Sequence, residues 1–354
     1  MENILDFYKD KRVFLTGHTG FKGSWMCKMF TNAGAIVTGY SLEAPTDPSL
    51  FKIADIESDI KSVIGDIRDM VALKKAFDET QPEIVFHLAA QPIVRNSYEN
   101  PAYTYETNVM GTVNILECVR QSSCVKSFLN VTTDKVYLNK EWNWGYRENE
   151  ELDGYDPYSN SKSCSELVTH SYKRSFFTDK DGKAIIPIST ARAGNVIGGG
   201  DFANDRIIPD CIRALESNKP IEIRSPKAIR PWQHVLEPVS GYMLLASKMW
   251  DEPTKYCEGW NFGPRMESIA SVWEVATKVI ESYGRGELKD LSDSNALHEA
   301  KLLILDISKA KFLLGWEPKM DIKKCVELTV DWYKRYSQIN GYQLCVEQII
   351  NYLN

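Results

Sequence analysis

Short runs of β-branched and aromatic residues recur through the first half of the chain: Val13-Phe14-Leu15, Ile36-Val37-Thr38-Gly39-Tyr40, Ser62-Val63-Ile64, Ile84-Val85-Phe86-His87-Leu88 and Phe128-Leu129-Asn130-Val131. Longer segments with helical spacing separate them, so the pattern predicts repeated βαβ units. Consecutive parallel strands need helical crossovers. The expected α/β architecture is therefore an open, doubly wound parallel sheet with helices on both faces and ligands at the carboxyl ends of its strands. A further strand is predicted from Ile185 to Arg192, running into a flexible glycine-rich turn, Ala193 to Asp201. Beyond that turn the alternation breaks down. Short strands such as Ile221-Glu222-Ile223 mix with helices, ending in an amphipathic stretch from Ile322 to Tyr336. The division expected is residues 1–190 as a dinucleotide-binding domain, to which later segments return, and 191–354 as a smaller mixed α/β substrate-binding region. The chain carries no repeat or low-complexity segment.

Its 354 residues are enough to bury a sizeable core. A net charge of -6 and a pI near 5.6 provide no basic field for nucleic acid or an anionic membrane, which points to small-molecule partners. The eight cysteines (27, 118, 124, 164, 211, 257, 325 and 345) are scattered, with no Cys-x-x-Cys pair and no histidine-rich companion. That spacing argues against a metal cage or a disulfide framework and fits reduced thiols. The start, Met1-Glu2-Asn3-Ile4-Leu5-Asp6, lacks the basic region and apolar stretch of a signal peptide, and no later segment is apolar enough to span a bilayer. A soluble cytoplasmic protein is expected.

The segment Thr16-Gly17-His18-Thr19-Gly20-Phe21-Lys22-Gly23 follows the first strand and opens a helix. Gly17, Gly20 and Gly23 permit a tight turn and close backbone approach, with Thr19 and Phe21 between them, while the helix N-terminus faces a pyrophosphate. The fold class is thus Rossmann-like. The second strand ends Tyr40-Ser41-Leu42-Glu43; Glu43 is a candidate ribose ligand, and no arginine follows to neutralise a 2′-phosphate, which favours NAD over NADP. Tyr158-Ser159-Asn160-Ser161-Lys162 places Tyr158 and Lys162 on one helix face, where the ammonium would lower the phenol's pKa and make it a base. Thr132-Thr133-Asp134-Lys135 adds an acid and an amine at the end of the fifth run. A redox tyrosine with two extra proton carriers suggests dehydration rather than simple oxidation.

Taken with Gly65-Asp66-Ile67 and Leu88-Ala89-Ala90, these motifs resemble, over nearly the whole chain, the extended short-chain dehydrogenase/reductases that modify nucleotide sugars. The resemblance implies that Asp66 and Ile67 read the adenine edge and that Leu88, Ala89 and Ala90 lie along the cofactor phosphates and ribose. In the 4,6-dehydratases of that family an acidic pair, mostly Asp-Glu, follows a threonine at the end of the central strand. Here it is Asp134-Lys135, which is similar to the branch that takes CDP-glucose. Thr133 would position a sugar hydroxyl, Tyr158 would take the C4 hydroxyl proton, and Asp134 would protonate the departing C6 oxygen. Lys135 would remove the C5 proton as a neutral amine, or stabilise the enolate as an ammonium.

For the substrate pyrophosphate, arginines offer bidentate geometry. Asn195, Arg206 and Arg230 are the candidates, with Gln91 and His234 as further substrate contacts. Arg230-Pro231-Trp232-Gln233-His234-Val235 resembles the family's Arg-Asp-Trp-x-x-Val element, with proline in the aspartate's place. Arg95 and Asn96 are candidates for sugar hydroxyls, and Trp142, Trp144 and Tyr146 for a lid. The resemblance also implies a homodimer, built from the helix beginning near Tyr103 and the Tyr158 helix, and a product destined for bacterial surface polysaccharide. A 4-epimerase uses the same tyrosine and lysine but needs no acid at C6, and a non-catalytic redox sensor needs only the cofactor half. Asp134 separates the first reading from both.

Overall fold

The computed structural model describes residues 2–292 and 302–353. Strands β1 (Arg12–Thr16), β2 (Ile36–Ser41), β3 (Lys61–Ile64), β4 (Ile84–His87), β5 (Ser127–Val131) and β6 (Ile188–Ala193) alternate with helices through the first half. The short pairs β7 (Val196–Ile197), β8 (Ile221–Ile223), β9 (Ile229–Arg230) and β10 (Gln233–His234) follow, then β11 (Gly259–Phe262), β12 (Ala270–Ser271) and β13 (Leu288–Asp290). Seven strands form the central sheet in the order β11-β6-β5-β4-β1-β2-β3, with every neighbouring pair parallel. The winding reverses between β1 and β4, which opens a crevice at their carboxyl ends.

Strands β1, β4 and β5 are buried along almost their whole length, and the two cores explain why. On one face Trp25, Phe30, Met243, Trp260 and Trp332 pack against the sheet; on the other Phe14, Phe77, Leu116 and Phe128 do so. The helix Leu236–Asp251 lies against β5 and the helix Phe21–Asn32, so β11 and this helix bring the second half of the chain back to the first sheet. The remaining short strands form three two-stranded pieces: β7 with β10, β8 with β13, and β9 with β12.

Two expectations are corrected. The sixth strand starts at Ile188 rather than Ile185, because Ile185 is 63% exposed and its N–H is drawn back to the Phe177 carbonyl at 2.8 Å. The glycine-rich segment after it is not a flexible turn. Val196 and Ile197 pair with β10, and the glycines beyond them are held by close packing: a Cβ on Gly199 would stand 2.0 Å from Trp332 Cγ. All eight cysteines are free thiols. Among the described residues, no helix is long and apolar enough to cross a membrane and no cluster of His, Cys, Asp or Glu is arranged to hold a metal ion.

Three histidines are enclosed, and burial drives their pKa values down to about 4 for His18, about 3 for His87 and about 3 for His234. In the unfolded chain they titrate near the ordinary ~6.5. Between these values the unfolded state binds the extra protons, so the stability from keeping the rings neutral is present above pH ~6.5 and is lost as pH falls. Each histidine contributes a slope of about 1.4 kcal/mol per pH unit in that window. Partly buried Glu148 and buried Glu237, whose pKa values are raised by desolvation, oppose it in part. Denaturant unfolding at pH 6.5, 5.5 and 4.5 should therefore show stability dropping steeply; a flat series would contradict the placement of these rings.

Candidate active site

A cleft of about 2000 Å³ opens at the carboxyl ends of β1, β4 and β5. Its first wall is the glycine turn. Gly17 has φ +79°, and a Cβ there would meet Ala89 N at 2.8 Å, while a Cβ on Gly23 would fall 2.0 Å from Gly17 O. Only glycine lets the turn fold this tightly against the Leu88-Ala89 backbone. The Thr16 hydroxyl fastens the two segments by accepting from Leu88 N and Ala89 N, both at 3.1 Å. Gly20 begins the helix Phe21–Asn32, which no side chain caps, so its N-terminal end is left to face an anion in the cleft. Thr19 bonds Ser41 Oγ at 2.7 Å and donates to Leu42 O at 2.8 Å, holding the end of β2 beside the turn.

Phe21, Glu43, Asp66, Ile67, Leu88, Ala89 and Ala90 all line the same cleft. The Asp66 carboxylate is braced by Arg68, with contacts of 2.6 to 3.1 Å, and that partner first of all holds its pKa below the usual value. A cradle without room for Cβ atoms, an uncapped helix start and a carboxylate on the far side together fit a dinucleotide.

The second wall is chemical. At the end of β5 the chain passes through Thr132 and Thr133 into a short turn of 3-10 helix, Asp134–Val136. The Thr133 hydroxyl donates to Asp134 Oδ1 at 2.9 Å and accepts from Lys135 N at 3.4 Å. Asp134 is only 1% exposed and its Oδ2 has no hydrogen-bond partner. Lys135 Nζ lies 3.5 Å from Asp134 Oδ1, with its side chain 29% exposed. Tyr158 and Lys162 come from the helix Pro157–Phe176, which starts where Asp156 accepts from Ser159 N at 3.0 Å and Pro157 occupies the first turn. Thr133, Asp134, Lys135, Tyr158 and Lys162 all line the cleft.

The electrostatics of this wall depart from the sequence expectation. Burial pushes the Tyr158 phenol up to about 12, with the Thr133 hydroxyl and Arg206 pulling the other way. Lys162 is drawn down to about 8 by burial, with Glu166 opposing, and its ammonium donates to Val131 O at 3.3 Å. In the protein alone, desolvation therefore outweighs the Thr133 hydrogen bond and the Arg206 charge that lower the phenol.

The substrate side brings together most of its candidates. Gln91, Arg95, Asn96, Asn195, Arg206 and Arg230 line the cleft, and Asn195 Oδ1 is buried without a partner. Gln91 is largely committed to its own loop, donating to Thr104 Oγ1 at 3.0 Å and accepting from Ile93 N at 2.6 Å. Arg95 pairs with Asp205 at 3.2 Å. Arg230 is 7% exposed, with one guanidinium nitrogen donating to Ile229 O at 2.9 Å. The proline beside it has a visible reason: the Pro231 ring packs over Gly194, where a Cβ would come within 2.3 Å of Pro231 Cγ. Trp232 anchors the element by donating to Ala270 O at 2.9 Å.

His234 is the exception. It does not line the cleft; its imidazole is fully enclosed against Trp25, with ring centroids 6.0 Å apart, because β10 is sandwiched between β7 and the core. The aromatic loop does not form a lid either. Tyr146 is buried with Val136, Leu303 and Leu305, Trp142 stacks between Tyr146 and Trp144, and none of the three reaches the cleft. Lys22, a lining residue inside the glycine turn to which sequence reasoning gave no role, donates to Tyr242 Oη at 3.4 Å, and burial first, then Lys162 and Arg206, bring it down to about 7. A cation interrupting the Gly20-x-x-Gly23 spacing was the available signal.

Comparison with known proteins places this geometry. Over 347 residues the chain is 49% identical to CDP-glucose 4,6-dehydratase of Salmonella typhimurium, covering 98% of this chain and 97% of that one. It is 26% identical to CDP-paratose 2-epimerase of Salmonella typhi, covering 91% and 98%. Among solved structures, UDP-glucose 4-epimerase of Thermotoga maritima superposes with a TM-score of 0.80 at 21% identity, covering 92% of this chain and 99% of that one. dTDP-glucose 4,6-dehydratase of Bacillus anthracis in complex with NAD gives 0.77 at 21%, covering 95% and 99%; these two likenesses speak to the fold. The family model described as GDP-mannose 4,6 dehydratase matches residues 14–329. With a seven-stranded parallel sheet, a glycine turn and a Tyr158/Lys162 helix meeting at one cleft, this chain is a member of that family.

Proposed function

We propose that the chain is a CDP-glucose 4,6-dehydratase, converting CDP-glucose to CDP-4-dehydro-6-deoxyglucose and water with NAD as a regenerated cofactor. The observation that carries this reading is the Asp134–Lys135 pair at a strand end beside Tyr158, with the acid buried and the amine partly exposed to the cleft, because transient oxidation and re-reduction at C4 alone would need neither group. The extent of identity to the Salmonella typhimurium enzyme supports the choice of sugar nucleotide.

The cofactor would rest on Gly17, Gly20 and Gly23, with Asp66 toward its adenine and Leu88 to Ala90 along its backbone. Bound NAD would supply the acceptor for the C4 hydride, its return to C6, and a positive charge near the phenol. Tyr158 takes the C4 hydroxyl proton, so a 4-keto sugar results and the C5 hydrogen becomes acidic. Asp134 then gives a proton to the C6 oxygen, which leaves as water, while the C5 proton passes to Lys135. In the resting protein the two side chains stand as an ion pair at 3.5 Å. One proton moving from ammonium to carboxylate turns that pair into the acid and amine that the elimination requires. Lys135 returns its proton to C5 as C6 is reduced, and the proton gained by Tyr158 balances the one spent by Asp134. Arg206, Arg230 and Asn195, which line the cleft, would receive the pyrophosphate.

The same proposal includes a homodimer. Met110, and Leu167 and Phe176 on the Tyr158 helix, are left about half exposed on packed neighbouring segments, which supports pairing there. It also includes a cytoplasmic place in deoxysugar supply for surface polysaccharide such as lipopolysaccharide O-antigen. The test is turnover of CDP-glucose beside dTDP-glucose, UDP-glucose and GDP-mannose with NAD supplied. A product lighter by one water from CDP-glucose is expected; an isomer of unchanged mass would indicate an epimerase instead.

A further inference from the structure

Beneath the floor of the cleft lies an ion pair that the chemistry above leaves unused. Glu166 is fully buried and Arg192 is 1% exposed, with Nε to Oε1 and NH2 to Oε2 both at 2.9 Å. Each carboxylate oxygen also receives a threonine hydroxyl: Thr132 on Oε1 at 2.5 Å and Thr190 on Oε2 at 2.6 Å. The remaining guanidinium nitrogen donates to Tyr137 Oη at 2.7 Å and Glu148 O at 3.0 Å, and Tyr137 in turn donates to Asn261 Oδ1 at 2.7 Å. A buried pair of this kind is often no more stabilising than apolar side chains of the same volume, so stability alone is a weak account of it.

Its connections suggest another role. Glu166 sits one helical turn beyond Lys162, on the helix that also carries Tyr158. Thr132 is two residues before Asp134, at the end of β5, and Thr190 and Arg192 lie on β6. The carboxylate therefore ties the Tyr158/Lys162 helix to the strand end bearing the acid. Neither Glu166 nor Arg192 lines the cleft.

We propose that the Glu166–Arg192 pair is a positioning device which, through the Thr132 hydroxyl, fixes Asp134 relative to Tyr158 so that one hexose meets the base at C4 and the acid at C6 together. The inference rests on the dehydratase reading. It predicts a specific defect when the link is cut: oxidation at C4, whose base Tyr158 and companion Lys162 share one helix, continues, while elimination, which needs the strand end in register, slows.

Thr132→Val keeps the shape of the side chain and removes only the donor, leaving Glu166 still bound by Arg192. Steady-state kinetics on CDP-glucose should give a kcat lower by about tenfold to a hundredfold, the scale of a small misplacement, with KM within about twofold. Chemical quench and mass spectrometry should show the oxidised, undehydrated nucleotide sugar accumulating, and Thr132→Ser should restore kcat to within about threefold of the parent. Wild-type kcat in the valine variant, a fall in kcat without that accumulation, or a serine variant as slow as valine would overturn the inference. Failure of the unaltered protein to release water from CDP-glucose would overturn the dehydratase reading beneath it.

Discussion

Asp134→Asn is expected to reduce water loss from CDP-glucose by about a thousandfold, within the range that a positioned general acid supplies. The asparagine preserves the volume of the side chain and can keep an oxygen toward the Thr133 hydroxyl, but it has no proton to give to the C6 oxygen. Because Asp134 Oδ2 has no partner in the folded protein, the change should cost little stability. Binding should hold, with KM within about threefold, since the lost interaction belongs to the transition state. The informative product is the one that stalls: an oxidised nucleotide sugar that retains its C6 oxygen. An asparagine variant that still loses water at more than about a tenth of the normal rate would remove Asp134 from the role of acid.

Tyr158→Phe should be at least as damaging, about a thousandfold or more in kcat, yet without any stalled keto sugar, because the step it removes comes first. The pair of variants therefore separates two failures that a simple activity assay would merge. The tyrosine also sets a pH dependence. Its phenol stands at about 12 in the protein alone, so activity should rise with pH as the phenol gives up its proton. Lys162, brought down to about 8 by burial, carries its charge below that pH and loses it above, so its help to the phenolate should fade on the alkaline side. Lys162→Met should move the acid limb of the kcat/KM profile upward. An unmoved limb would show that Lys162 does not assist the phenol.

Much of the first half was legible because β1, β4 and β5 are buried along almost their whole length and leave short apolar runs. The glycine turn was legible for a related reason, since Gly17 and Gly23 stand at backbone contacts that a Cβ would obstruct. What escaped depends on partners distant in sequence. Gly259-Trp260-Asn261-Phe262 joins the sheet beside β6, but nothing in those four residues names that neighbour. His234 was expected at the substrate on the strength of the motif containing Arg230. Along so short a strand the direction of a side chain depends on register, which puts the ring against Trp25 instead. The Tyr-x-x-x-Lys spacing shows the nearby cation but not the burial that raises the phenol in the protein alone. Glu166 was within reach, standing four residues after Lys162, but Arg192, the residue that gives it meaning, comes from another strand.

The most direct test of the dehydratase account follows the hydrogen that leaves C4. CDP-glucose carrying deuterium at C4 is turned over with NAD, and the product is examined by mass spectrometry and NMR. The account predicts a product lighter by one water, with the deuterium in its new C6 methyl group. Deuterium that remains at C4 of a product still bearing its C6 oxygen, or a mass unchanged from the substrate, would contradict it.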